Sequence, residues 1–87
     1  MKTITLPASL TKIGEGAFSA CYALQSVTIP EGVTEIGPYA FQECYYLTSV
    51  LLPASLIKIE DGAFHKCYSL TSVTIPAAVT EIGNYAL

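Results

Sequence analysis

A unit of 23 residues returns along this chain, and that period limits the folds open to it more than any other feature. Cysteine stands at Cys21, Cys44 and Cys67, with tyrosine directly after it at Tyr22, Tyr45 and Tyr68, and leucine two further on at Leu24, Leu47 and Leu70. Proline closes the following apolar run at Pro7, Pro30, Pro53 and Pro76, and isoleucine recurs at Ile13, Ile36, Ile59 and Ile82. Upstream of each cysteine lies an Ala-Phe pair, Ala17-Phe18, Ala40-Phe41 and Ala63-Phe64, with Ala86-Leu87 as a last, altered copy. One such unit is too small to bury its own apolar side. A fixed period in this range therefore predicts stacked coils, each covering the next.

Within a coil, Leu24, Val27 and Ile29 follow an L-x-x-V-x-I spacing whose last two apolar residues alternate with Thr28, the pattern of a short strand. Ile4 and Leu6 hold the places of Val27 and Ile29 one turn earlier, and Met1 holds that of Leu24. Proline then ends the pairing, because it lacks the N–H that a ladder needs. A second extended segment follows, SLTKIG, GVTEIG, SLIKIE and AVTEIG in turn, with Leu10 and Ile13, Val33 and Ile36, Leu56 and Ile59, Val79 and Ile82 as its apolar positions. Gly14, Gly37 and Gly83 make a sharp exit, but Glu60 takes that place in the third coil, so positive φ is not required there. In the next stretch Ala17, Phe18, Cys21 and Leu24 fall on one helical face too short for an independent helix, which predicts one or two turns of α- or 3₁₀-helix. The expected architecture is an α/β repeat solenoid. Residues 1–87 form one domain of nearly four coils, with repeats starting near Pro7, Pro30, Pro53 and Pro76.

At 87 residues the chain is one small domain or a slice of a larger one. An apolar content of 52% against 13% charged residues suits a thin solenoid whose every coil sends residues to a central seam. No apolar run approaches the roughly 20 residues of a membrane span, so no membrane insertion is expected. The start, MKTITLP, lacks the apolar core and cleavage site of a signal peptide, so any targeting address lies outside this chain. The net charge of −3, from 4 Lys+Arg against 7 Asp+Glu, argues against nucleic acid as a partner. Each cysteine occupies the same place in its coil, which predicts a column of reduced core thiols whose side chains point in parallel. His65 is the only histidine and has no partner at ligand spacing, so neither metal nor cofactor is expected.

A two-coil pattern overlies the single-coil one: PASLTKIGEGAF resembles PASLIKIEDGAF, and PEGVTEIGPYAF resembles PAAVTEIGNYAL. One stacked position runs Lys12, Glu35, Lys58, Glu81, so each lysine faces a glutamate on the neighbouring rung. Such pairs contribute roughly 0.2–1 kcal/mol each, less where solvated. Another runs Gly16, Tyr39, Gly62, Tyr85, where a ring can cover the space beside each glycine. Both alternations oppose a one-coil slip, which would set lysine beside lysine and tyrosine on tyrosine.

The pattern V-T-I-P-x-x-V-T-x-I-G-x-x-A-F-x-x-C-x-x-L-x-S resembles the leucine-rich repeats of the bacterial surface antigen A type, also found in treponemes and trichomonads, and covers essentially the whole chain. Glu60 for glycine, Leu51 for a polar strand residue and Leu87 for phenylalanine are its departures. The resemblance implies a right-handed leucine-rich-repeat coil with the V-T-I strands forming a parallel sheet on its concave side. It also implies an extracellular or cell-surface location, and adhesion to host matrix proteins or to other cells.

If Val27 and Ile29 point inward, then Thr3, Thr5, Ser26, Thr28, Ser49, Leu51, Ser72 and Thr74 form an outer face of hydroxyls with one leucine in it. This is either a recognition surface or the ordinary composition of an exposed strand. Tyr22, Tyr45, Tyr46 and Tyr68 form a second stripe, open to a partner or stacked coil on coil as part of the scaffold. No nucleophile, base and orienting group come together, so the expected role is non-enzymatic. Polar caps are absent from both ends. A head-to-tail join between copies would bring Ile4, Leu6, Lys12 and Gly16 of one chain toward Glu81, Tyr85 and Leu87 of another, with Glu81 beside Lys12 and Tyr85 beside Gly16. Two functions are thus expected from sequence: a protein-interaction or adhesion module, or a self-associating building block, natural, excised or designed.

Overall fold

The structure, a computed structural model, describes residues 3–87; Met1, which the period aligns with Leu24, lies outside them. Seven short strands form two parallel sheets. The first contains β1 (Thr3–Ile4), β3 (Ser26–Thr28) and β5 (Ser49–Leu51) in that order. The second contains β2 (Lys12–Ile13), β4 (Glu35–Ile36), β6 (Lys58–Ile59) and β7 (Glu81–Ile82). Every paired residue lies one period from its partner: Thr3 with Ser26, Val27 with Val50, Ile13 with Ile36, Ile59 with Ile82. The 23-residue repeat is thus the crossover length of both sheets, as stacked coils require.

Between the sheets the inward side chains form columns. Val27, Val50, Ile29, Val33, Leu56, Ile36 and Ile59 are buried, as are Leu24, Leu47, Ala40, Ala63 and Cys44. Phe18, Phe41 and Phe64 stack with ring centroids 5.2 Å apart at each step, nearly parallel. Burial is deepest in the middle coils, where each side chain has a neighbour on both sides. Ile4, Leu6, Val73, Ile75 and Val79 of the outer coils are only partly buried.

The corner between the second sheet and the next coil is not helical. The predicted turn or two of α- or 3₁₀-helix is replaced by a run of tight turns over residues 15–20, 38–43 and 61–66. Hydrogen bonding explains why. The N–H groups of Gly16, Phe18 and Ala20 donate out of their own coil to the carbonyls of Pro38, Ala40 and Gln42, at 2.9, 2.7 and 2.8 Å. The intervening N–H groups of Ala17, Ser19 and Cys21 turn back to Gly14, Gly16 and Phe18. A helix leaves its first four donors without an internal partner, so in so short a segment the carbonyls of the next coil satisfy donors that a helix would leave open. Two positions in the corners adopt left-handed φ: Gly16, Tyr39, Gly62 and Tyr85 at one, Ala20, Glu43 and Lys66 at the other. The apolar spacing that suggested a helix still places Phe18, Cys21 and Leu24 on the inner side.

A second difference concerns residues 71–75, which repeat the sequence around β3 but form no strand. Val73 and Ile75 are only partly buried, against full burial of Val27 and Ile29, so the burial that pins a strand's register is weaker there. At the exit from the second extended segment, Gly14, Gly37 and Gly83 all lie outside left-handed φ, and Glu60 donates its N–H to Ile36 O at 3.0 Å just as Gly37 donates to Ile13 O at 2.8 Å.

The corner conformation generates a test. Ala20 sits at φ 60°, a region that costs an L-residue roughly 1–2 kcal/mol and glycine almost nothing. Ala20→Gly should therefore leave stability unchanged or raise it by up to about 1 kcal/mol, after the added unfolded-state entropy is subtracted. A helical corner would lose about 1 kcal/mol instead. Urea unfolding of the two chains distinguishes these outcomes.

Candidate functional site

The outer face of the first sheet is set by strand alternation. Because Val27 and Val50 point into the core, Thr28, Ser49 and Leu51 point out and are exposed, with Ser26 partly so. Register aligns them in two columns. Thr3, Ser26 and Ser49 form one, and Thr28 faces Leu51 in the other. Thr5, Ser72 and Thr74 are also exposed but lie outside the hydrogen-bonded strands. The residues 25–29, 48–52 and 71–75 that make this side of the coils carry no ionisable side chain. Leu51 is 63% exposed and borders a shallow depression of about 400 Å³, shared with Leu52, Ala54, Thr74, Pro76 and Ala77. A surface of this kind offers hydroxyl hydrogen bonds and one apolar anchor, with no long-range electrostatic pull.

A further departure follows the same logic as Leu51. Ile57 stands where Thr11, Thr34 and Thr80 stand in the other coils, and it is 46% exposed. Thr34 uses its hydroxyl to reach Thr11 O at 3.4 Å, a bond that isoleucine cannot make. Its signal in the sequence was the break in repetition, masked by its position beside the expected core residues Leu56 and Ile59. Tyr46, where Ala23 and Ser69 stand, is likewise exposed. Tyr46, Leu51 and Ile57, in the two middle coils, are thus large outward side chains where the equivalent positions of the other coils are small or polar.

The tyrosine stripe divides. Tyr22, Tyr45 and Tyr68 stack in a column with centroids 5.3 and 5.5 Å apart and rings within 9° of parallel, while Tyr46 lies outside the column. The thiols form their own column further in. Cys44 Sγ donates to Phe18 O at 3.2 Å and Cys67 Sγ to Phe41 O at 3.1 Å, and all three cysteines are free. Cys67, hydrogen-bonded to Cys44 and withdrawn from water, is pushed well above the ordinary thiol range, and burial raises Cys21. Such thiols are poor nucleophiles. Among the described residues no cluster of three His, Cys, Asp or Glu side chains forms a metal site; His65 instead meets the Tyr85 ring at 5.5 Å.

The residues assigned to self-association are distributed over both faces. Lys12 pairs with Glu35 at 3.5 Å and Lys58 with Glu81 at 3.8 Å, as the alternation required. The intermediate Glu35–Lys58 step is replaced by Lys58–Glu60 at 3.8 Å. Tyr39 lies over Gly62, where a β-carbon would collide with its ring. A β-carbon at Gly16 would meet only Ser19 Cβ, at 4.0 Å, and Tyr85 is 76% exposed. Ile4 and Leu6 are half-buried, and Leu87 is exposed.

Glu60 has a titration consequence. Its carboxyl shares a hydrogen bond with that of Glu35, which raises Glu60 and lowers Glu35; Lys12 reinforces the lowering of Glu35. A carboxyl whose folded pKa is raised stabilises the fold below its ordinary pKa and loses that contribution as pH rises through the folded value. Glu60→Gln keeps an N–H donor for Glu35 without ionising. The variant should match the parent's thermal midpoint near about pH 4 and exceed it increasingly toward about pH 7. Parallel midpoint curves would remove the shared proton from the account.

The whole of residues 1–87 matches the family model of the BspA type leucine rich repeat region, in 6 copies. No curated protein matches the chain. Three crystal structures are similar in fold. A leucine-rich repeat protein from Bacteroides ovatus is 30% identical, with a TM-score of 0.90, over 94% of this chain and 24% of its own. A leucine rich cell surface protein from Faecalibacterium prausnitzii is 30% identical, with a TM-score of 0.94, over 99% of this chain and 23% of its own. The leucine rich repeat protein of T. pallidum is 28% identical, with a TM-score of 0.87, over 97% of this chain and 52% of its own. This chain therefore spans between about a quarter and a half of those proteins. Its repeat period, its two parallel ladders and these matches agree that it belongs to the BspA-type leucine-rich repeat family.

Proposed function

We propose that the chain is a non-enzymatic protein-interaction module of a surface or adhesion protein, and that the outer face of the first sheet recognises the partner. The observation that carries this reading is a sheet face without charge, lined by hydroxyls and interrupted at one rung by an exposed leucine. Scaffold positions repeat from coil to coil, whereas recognition positions vary; Leu51, Ile57 and Tyr46 depart from the repeat and face solvent. Membership of the family and the similarity to a leucine rich cell surface protein support a surface location and a host matrix or cell-surface protein as partner.

A second reading, self-association, has its own support. Coil-to-coil surfaces are self-complementary: Tyr39 fills the space over Gly62, and the equivalent Tyr85 ring could lie over Gly16 of a second copy, where no ring of its own chain lies. Glu81 could likewise meet Lys12 of a second copy, as Glu35 meets Lys12 within one.

Two experiments separate the readings. Thr28→Arg with Thr74→Arg places charge on an uncharged face and should weaken partner binding at least roughly tenfold, with the urea midpoint and the association state unchanged. Retained binding to immobilised matrix protein would move recognition to another face. Glu81→Lys should weaken self-association roughly two- to tenfold at low salt, a difference that fades at high salt. Light scattering behind size-exclusion chromatography measures it, and identical profiles at low salt would count against a charge-matched joint.

A further inference from the structure

The column Tyr22–Tyr45–Tyr68 combines three features rarely found together on a small protein's surface. Adjacent phenols are held 5.3 and 5.5 Å apart with their rings 9° and 4° from parallel. The outer rings are open to solvent, Tyr22 at 51% and Tyr68 at 72%, and Tyr45 between them is half-buried. Each belongs to a different coil, one period from the next. The Phe18–Phe41–Phe64 column has the same stacking, but it lies deeper and carries no hydroxyl. Chemistry available to one column is therefore closed to the other.

We propose that this tyrosine column is an oxidative modification site, at which a haem peroxidase acting with hydrogen peroxide joins neighbouring phenols into dityrosine and so fastens adjacent coils covalently. Each of two phenols gives up one electron and its hydroxyl proton, and one peroxide is reduced to two waters. The two phenoxyl radicals couple through ring carbons ortho to oxygen, forming one C–C bond. The hydrogen on each coupled carbon then leaves as a proton while oxygen regains one, which restores both aromatic rings and both hydroxyls. Held side by side, the partners have a high effective concentration, so coupling within a chain outruns encounter between chains. Coupling needs a ring to swing its ortho carbon into bonding contact, and the exposed Tyr22 and Tyr68, each stacked on one face only, are the rings to do so.

Tyr45 is the hinge of this chemistry, since it is a member of both stacked pairs. The remaining tyrosines serve as internal controls. Tyr39 and Tyr46 are exposed without a stacked tyrosine among the described residues, and Tyr85 faces His65 at a steep angle of 58°. A cross-link between Tyr22 and Tyr45, or between Tyr45 and Tyr68, closes a loop of one period and constrains the unfolded chain as a disulfide does.

The test treats the purified 87-residue chain with a haem peroxidase and hydrogen peroxide over a dilution series, reading dityrosine fluorescence and mapping linked peptides by mass spectrometry. The expected product is a single chain carrying a Tyr22–Tyr45 or Tyr45–Tyr68 link, with a yield per chain that does not fall on dilution and a raised thermal midpoint. Tyr45→Phe should lose the intramolecular product, and Tyr46→Phe should keep it. Should Tyr45→Phe fail to fold, the double variant Tyr22→Phe with Tyr68→Phe removes both pairs while leaving Tyr45 in place, and should lose it too. The proposal is overturned if no dityrosine forms, if the link maps to Tyr39, Tyr46 or Tyr85, or if the yield falls with dilution.

Discussion

Hydrogen bonding from each coil to the next holds the rest of this structure in place. It runs along both sheets and through the corners. In the second sheet Thr34 N–H of the later coil donates to Thr11 O of the earlier one at 2.9 Å. In the first sheet bonds run both ways, Thr48 N–H to Gln25 O and Ile29 N–H to Leu51 O, each at 2.9 Å. Along the corner the earlier coil donates to the later one, as Phe18 N–H does to Ala40 O at 2.7 Å.

Packing then follows the ladders rather than leading them. Once coils are one period apart and in register, like falls on like: phenylalanine on phenylalanine, tyrosine on tyrosine, thiol beside thiol. Identical columns suit apolar and aromatic groups, but they would place like charges together. The Lys12, Glu35, Lys58, Glu81 alternation avoids that, and Glu60 shows the cost of a lapse: its carboxyl meets that of Glu35, which raises the pKa of Glu60. Cysteine fits its column because its thiol is small enough to stack and still reaches a carbonyl of the preceding coil.

Repetition is broken at outward positions. Scaffold positions have no freedom, because a change in one coil is felt by both neighbours. The outward positions of the first sheet, and those of Tyr46 and Ile57, face water and can vary at little cost to stability. Their neutrality distinguishes this face from the charged second sheet, and it suits a partner held by short-range contacts. The hydroxyl face and Leu51 were legible in the sequence because a period of two separates inside from outside. Ile57 was not, because isoleucine beside two core positions looks like core until the strand is seen to turn it outward.

The sequence alone determined the stacking, the parallel pairing and its register, because a strict period leaves each side chain only its own copy as a neighbour. It also determined which residues are buried in columns, since alternation within each short strand fixes the inner face. Tertiary structure alone decided the conformation of the corners. Phe18, Cys21 and Leu24 have helical spacing, but the next coil's carbonyls draw the N–H groups of Gly16, Phe18 and Ala20 outward, and Ala20, Tyr39, Glu43, Lys66 and Tyr85 take left-handed φ at the corners. The same context decided that Tyr22, Tyr45 and Tyr68 stack as one column while Tyr46 stands apart. Coil-to-coil distance, which no single repeat contains, is the physical quantity behind both.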